Sequence, residues 1–486
     1  MNLERHKLSI TEKVGYGLGD TAANFIFQTI LVFQLAFYTD VFGISAAAAG
    51  TLFLVVRISD AFTDPLMGII ADRTNTRWGK FRPYVLFSAV PFGVLAFLTF
   101  TTPDLGPTGK LVWAYVTYTL MMAVYTVNNL PYSALSGVMT ADMGERTSLS
   151  SYRFVFAMLA AFLIQVLALP MVNYFGQGDD ALGYKITIGI FSVAAVAFFV
   201  ITFATTRERV KPDPAQQTSI RQDLVDLTRN GPWIAMFFAT LFIFITLALR
   251  GGVMFYYFSY YLTTASLESF MAGLPGALDF FVRLAGGEPV AVLFSLFNAF
   301  GLTCTIIGIL FSKSLAVRFG KRNVFVGGLA ATIVLTVTFV FLPRTAVGSA
   351  FLMEGARQLA YGFTIPLLWA MMADVADFSE WRNHRRATGI VFSAVVFGLK
   401  AGLGFGGAIG GWILAGYGYV PNAEQTLEAL EGIRLTASVY PAVFFGIALV
   451  CLLFYKIDLA TENRMALELE ARRQKLQAGA GALITP

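Results

Sequence analysis

The chain has 486 residues, 56% of them hydrophobic and only 13% charged, with a formal net charge of +5. So little charge cannot cover the surface of a water-soluble protein of this size. Two histidines and two cysteines leave metal-dependent or histidine-based catalysis, or a disulfide framework, almost nothing to work with, so no enzyme and no cofactor is expected.

The start, MNLERHKLSITEK, is polar and charged, and no signal peptide is expected there. From that point on, apolar runs long enough to cross about 30 Å of hydrocarbon recur. They predict an all-α polytopic membrane protein with twelve spans near 14–39, 45–71, 83–102, 110–136, 148–174, 185–205, 232–262, 289–313, 323–342, 347–374, 388–416 and 434–457. The basic residues gather in alternate connections, as at Arg73, Arg77, Lys80 and Arg82, and again at Lys313, Arg318, Lys321 and Arg322. Topology therefore accounts for the positive charge, no nucleic acid is implied, and both termini are expected in the cytoplasm. The longest polar connection, 206–231, divides the chain into a first six-helix bundle, 1–205, and a second, 232–458, followed by a cytoplasmic tail, 459–486. RWGKFRP at Arg77–Pro83 is echoed by RFGKRN at Arg318–Asn323, as duplication of a six-helix unit would give. The stretch 264–288 reads as an excursion outside the membrane, with an interfacial helix through Leu278–Leu284, and the tail as an amphipathic helix at first.

Polar groups inside the apolar spans mark the candidate site, because an ionised side chain near a bilayer centre costs about 3 kcal/mol on insertion scales. In the first span Asp20, Asn24 and Gln28 form one stripe at intervals of four. In the second, Arg57, Asp60 and Asp64 share a helix face that cannot look at lipid. The fourth carries Tyr125, Asn128, Asn129 and Tyr132 around Pro131, a grouping suited to a solute cavity. Arg153 and Lys400 are single cations in apolar surroundings, and Lys400 requires a buried partner such as Asp60 or Asp64. Glu354 and Arg357 are spaced to neutralise each other. Gly68, Asp72, Arg73, Arg77, Gly79 and Lys80 follow the second span in a pattern suited to a conformational latch, made of charge pairs to neighbouring helix ends.

At these residues a resemblance emerges. GxxxDRxxxRWGKxR is similar to the loop signature of the major facilitator superfamily, and RISDAFTDP at Arg57–Pro65 resembles the second-helix motif of the glycoside–pentoside–hexuronide:cation symporters. GYGLGD at Gly15–Asp20, FYTDVFGI at Phe37–Ile44, YTVNNLPYSAL at Tyr125–Leu135, ERTSLSSYRF at Glu145–Phe154 and MADVADFSEW at Met372–Trp381 extend the likeness over nearly the whole chain. It implies twelve helices in two pseudo-symmetric bundles around a central cavity. It also implies a coupling cation, Na⁺ or H⁺ with Li⁺ as a substitute, held by Asp60, Asp64, Thr63 and Thr126, with Arg153 and Lys400 beside the sugar or cation site. Melibiose-carrying members of that family have aspartates where this chain has Asn24 and Asn129, a tryptophan at Ser133 and an asparagine at Thr63, so the sugar specificity is expected to differ.

The combined expectation is a monomeric inner-membrane carrier that imports a sugar with a cation. Asn24, Gln28, Asn129 and Tyr125 take sugar hydroxyls, and Trp369 offers a stacking surface. Two other readings stay open, a carrier of lysolipids or other amphiphiles on the same fold and a non-transporting membrane sensor. The amides and tyrosines speak against the first, and the insertion cost of Asp60, Asp64 and Lys400 against the second.

Overall fold

Entry into each half is set by a polar cap. Ser9 and Glu12 form a reciprocal capping box ahead of α1, Ile10–Ala36, and Asn230 accepts from the Trp233 amide at the start of α7, Gly231–Tyr256. Both helices then widen into a single π-helical turn, Phe37–Val41 and Tyr257–Tyr261. The structure is a computed structural model that describes residues 7–140, 143–209, 228–383, 388–465, 467–469 and 471. The side chains of 61, 65, 69, 72, 143, 144, 146, 147, 383 and 388–394 are outside that description, as are most of the expected linker and the end of the tail.

The first half continues through α2 (Ala46–Arg73), α3 (Arg82–Thr99), α4 (Pro107–Met139), α5 (Met143–Gly176) and α6 (Asp180–Thr205). After α7 come two short helices, α8 (Thr264–Ala272) and α9 (Asp279–Leu284), then α10 (Pro289–Phe319) and α11 (Lys321–Thr338). The expected tenth span is broken at Phe363–Thr364 into α12 (Val347–Gly362) and α13 (Ile365–Asn383). α14 is Thr388–Gly416, and the last span is broken at Ser438 into α15 (Leu427–Ala437) and α16 (Val439–Leu453). Eleven stretches among the described residues are long and apolar enough to cross a bilayer. The expected twelve are reached only by counting α4, a 33-residue helix whose tyrosines, threonines and asparagines dilute its hydropathy. The excursion at 264–288 is more helical than expected, because α8 buries Leu267, and the Thr263 amide ahead of it donates to the Arg344 carbonyl oxygen at 3.1 Å. Helix resumes at 459, and the tail docks on the second half through Met465 and Leu469, with Trp381 donating to Glu468 at 2.7 Å.

Across the midline α1 meets α7, α2 meets α14 and α5 meets α10. The buried apolar core runs unbroken from the first half into the Asp40 end of the second, through Phe33, Phe294, Tyr256 and Leu414. The second half keeps a separate core toward its other end, around Met236, Leu368 and Leu452.

α14 is what lets these elements approach. Gly398, Gly402, Gly406 and Gly410 form one stripe at intervals of four against α7, where a Cβ at Gly402 would stand 2.5 Å from the Leu241 carbonyl oxygen. Gly404, Gly407 and Gly411 form a second stripe facing Arg57, Phe53 and Ala46 of α2. Gly402→Val is expected to destabilise the protein by about 1–3 kcal/mol through overpacking, read as a lower thermal midpoint in detergent. Gly327→Val, where a Cβ meets nothing within 4 Å, should leave the midpoint unchanged.

Candidate substrate and cation site

The arrangement begins on α2, where spacings of three and four turn Arg57, Asp60 and Asp64 toward α4 and α14. Arg57 Nη1 donates to Asp60 Oδ2 at 3.0 Å, and Asp60 is 3% exposed. One helical turn on, Asp64 Oδ2 is paired with Lys400 Nζ of α14, and its Oδ1 accepts from Thr126 Oγ1 of α4 at 2.9 Å. The partner Lys400 required is therefore Asp64, and the pair ties the two halves together. Asp60 Oδ1 is buried with no hydrogen-bond partner among the described residues. Thr63 Oγ1 points back to the Asp60 carbonyl oxygen, at 3.4 Å.

Arg57 is held by shape as well as charge. Its aliphatic stem occupies the space that a Cβ at Gly404 would take. Around it, Phe27, Leu35, Phe53 and Tyr118 leave a void of only about 40 Å³, room for one or two waters.

A second ion pair lies in the first half. Arg153 Nε is 3.3 Å from Asp20 Oδ1, and its guanidinium covers the Tyr132 ring at 5.4 Å. Asn24 donates to the Asp20 carbonyl oxygen at 2.9 Å and accepts from Gln28 at 3.5 Å, so the stripe is a connected chain. Tyr125 lies within electrostatic reach of both Asp20–Arg153 and Arg57–Asp60. Asn129 and Ser133 are half-buried, and their side chains make no hydrogen bond among the described residues. Asn128 is turned elsewhere, donating to Ser88 Oγ of α3 at 2.7 Å. Trp369 packs against the apolar core of the second half.

One end of the passage is shut by groups that sequence reasoning missed. Asp40, in the π-turn after α1, accepts from Tyr260 at 2.7 Å and from Tyr419 at 2.5 Å, while Asn422 donates to its carbonyl oxygen at 2.6 Å. Burial first, and then the Asp40 carboxylate, raise the Tyr419 phenol far above its ordinary value and keep it a donor. Asp40 and Tyr260 are the fourth residues of the two matching π-turns, so equivalent positions of the halves touch each other. Beyond them opens a polar cavity of about 780 Å³, lined by Asp40, Asp180, Glu288, Asn173 and Tyr184 among others.

At the opposite end the Arg77–Lys80 loop closes on the chain after α6. Gly79 takes φ +113°, and the Glu208 carboxylate accepts the amides of Lys80, Phe81 and Arg82 at 2.7–2.9 Å. A side chain at Gly79 would meet that carboxylate at 2.6 Å. Arg82 adds a bond to the Phe203 carbonyl oxygen at 2.6 Å, and Arg77 covers Trp78 at 4.5 Å. Gly68 is half-buried, Arg73 is exposed, and the Asp72 side chain lies outside the described residues. The echo in the second half is docked alike: Gly320 takes φ +82°, and Lys321 is paired with Asp374 at 2.7 Å and Glu462 at 2.8 Å.

Glu354 and Arg357 do pair, at 2.5 Å, but Arg250 of α7 joins them at 2.7 Å, with its Nε donating to the Ala437 carbonyl oxygen. Two guanidiniums thus share one buried carboxylate. The signal was available, since Arg250 interrupts the apolar run FIFITLALRGG.

The MFS/sugar transport protein family matches residues 15–459. The inner membrane symporter YicJ of Escherichia coli is 39% identical over 450 residues, covering 93% of this chain and 91% of that protein. The isoprimeverose transporter of Lactiplantibacillus pentosus is 36% identical over 485 residues, covering 98% and 94%. Among solved structures, the unoccupied inward-facing crystal structure of a bacterial homologue of the human lysosomal transporter Spinster superposes with a TM-score of 0.64 at 14% identity, over 95% of this chain and 98% of that one, and shares its fold.

The Asp20–Arg153 pair generates a test. Asp20→Asn leaves the guanidinium without its charged partner, at a cost of about 2 kcal/mol, read as a lower unfolding midpoint in detergent. Asp20→Asn combined with Arg153→Met should recover most of that loss.

Proposed function

The chain belongs to the MFS/sugar transport family, among the glycoside–pentoside–hexuronide:cation symporters, and we propose that it imports a glycoside, pentoside or hexuronide with Na⁺ or H⁺ across the inner membrane by alternating access. The observation that carries this reading is the tie between Asp64 and Lys400. A carboxylate neutralised by a cation from the other half is a switch, because any cation that takes the carboxylate must release the lysine and with it the contact between halves. Asp60 sits one turn away with a buried oxygen that has no partner among the described residues, and supplies the second ligand. Thr126 holds Asp64 in place.

The sugar lies beside this centre. Asn129 and Gln28 offer donors and acceptors to its hydroxyls, with Asn24 and Tyr125 behind them, Asp20–Arg153 orienting the stripe and Trp369 as a stacking face from the second half. Sugar and cation each make contacts that survive only when the halves close around both, so each tightens the other's binding. The basic loops at the Arg77–Lys80 end support a cytoplasmic position for it and for both termini. The Asp40 cluster then closes the external side, and the protein works as a monomer.

Asp60→Asn and Asp64→Asn are each expected to abolish concentrative, cation-driven uptake of a recognised sugar in right-side-out vesicles, with membrane levels of the protein retained. Undiminished accumulation in either variant overturns the coupling assignment. Running the wild type with a sodium gradient alone and a proton gradient alone identifies the ion. Asn129→Ala should weaken equilibrium sugar binding about five-fold, the worth of one uncharged hydrogen bond; unaltered affinity would remove α4 from the sugar site.

A further inference from the structure

On the outer surface of the first half, away from the site described above, α3 and α6 line a groove of about 900 Å³. Its walls are apolar, with Val90, Val94 and Val193 between 50% and 71% exposed. Its floor is where the two helices come close: a Cβ at the buried Gly93 would meet Val196 at 2.6 Å, and Gly189 sits across from Phe97 at 3.5 Å. At one end stands Lys185, which is exposed and makes no hydrogen bond or ion pair among the described residues.

The dimensions of the groove fit one leaflet. From Lys185 to Ala197, twelve residues of α6 rise about 18 Å, against about 15 Å for half the hydrocarbon core. Lys185 lies in the second turn of α6, whose start is fixed by Asp179 accepting from the Leu182 amide at 3.1 Å. The cation therefore stands at headgroup depth and the groove runs inward from it. Asp180 does not neutralise it, because five residues on a helix separate the two by about 140°, and Asp180 lines the polar cavity shared with Asp40 and Glu288.

We infer that the α3–α6 groove is a binding site for one anionic phospholipid, its acyl chain lying along Val94, Val193 and Gly189 and its phosphate paired with Lys185. Every lipid offers the groove a chain. An uncompensated ammonium at its mouth selects the headgroup that brings net negative charge. The inference requires only that the chain spans a membrane, not that it carries sugar.

The test uses the full chain purified in detergent and incubated with phosphatidylglycerol or phosphatidylethanolamine of the same acyl chains, with bound lipid counted by native mass spectrometry and neither sugar nor cation substrate present. The expected result is one site that prefers phosphatidylglycerol, weakened about five-fold by Lys185→Glu and kept by Lys185→Arg. Val193→Trp, which fills the groove, should lower retention of both lipids. Equal retention of the two lipids by the wild type, or undiminished phosphatidylglycerol binding in Lys185→Glu, overturns the assignment. So does a dimer that Val193→Trp dissolves, which would make the groove a seat for a second copy of the chain.

Discussion

The fold is organised around a cost that must be met inside the membrane, that of keeping Asp64 and Lys400 charged away from bulk water. Neither group could hold its place alone in a low-dielectric surrounding. Pairing makes them tolerable, and because one comes from α2 and the other from α14, the pairing also fixes how the halves sit together. Arg57 and Asp60 repeat the solution within a single helix, and Asp20 with Arg153 repeats it between α1 and α5. Asp20, Asp60 and Asp64 thus each face a cation. Arg250, Glu354 and Arg357 carry one cation more than they need, and the extra charge is spread over the Ala437 carbonyl oxygen and the Phe339 face.

The pseudo-symmetry of the two bundles explains why contacts made at one end of the molecule have counterparts. The π-turns after α1 and α7 approach the same pseudo-axis, so Asp40 finds Tyr260 at its own equivalent position. The two Gly-Lys loops likewise close on an acid that follows the last helix of their half, Glu208 in one case and Glu462 in the other. What differs is the donor, since backbone amides serve in the first half and the Lys321 ammonium in the second. Each loop is therefore tied to its own half.

Much of this was legible in the sequence, and the division between what was and was not follows from range. Helices, their number and the shared face of Arg57, Asp60 and Asp64 depend on periodicity within one segment, which a sequence displays. That Lys400 needs a partner was also readable, because a lone cation in an apolar span is costly; which carboxylate it takes depends on a contact 336 residues distant. Asn128 and Asn129 look alike in sequence, yet a rotation of one residue sends the first to Ser88 and leaves the second open. Asp40 escaped notice because a carboxylate at the end of a span is cheap, and only the fold brings two phenols onto it. Glu208 was hidden in a connection that read as a linker.

The two glycine stripes of α14 have a mechanical consequence. Helices that interdigitate large side chains can shift only in steps, each one breaking a set of packed rotamers. Where α14 faces α2 the backbones meet directly at Gly411, while Gly404 and Gly407 receive the Arg57 and Phe53 side chains. Sliding there has to withdraw Arg57 from its seat, and because Arg57 is bonded to Asp60, the shape of that contact and its charge are released together.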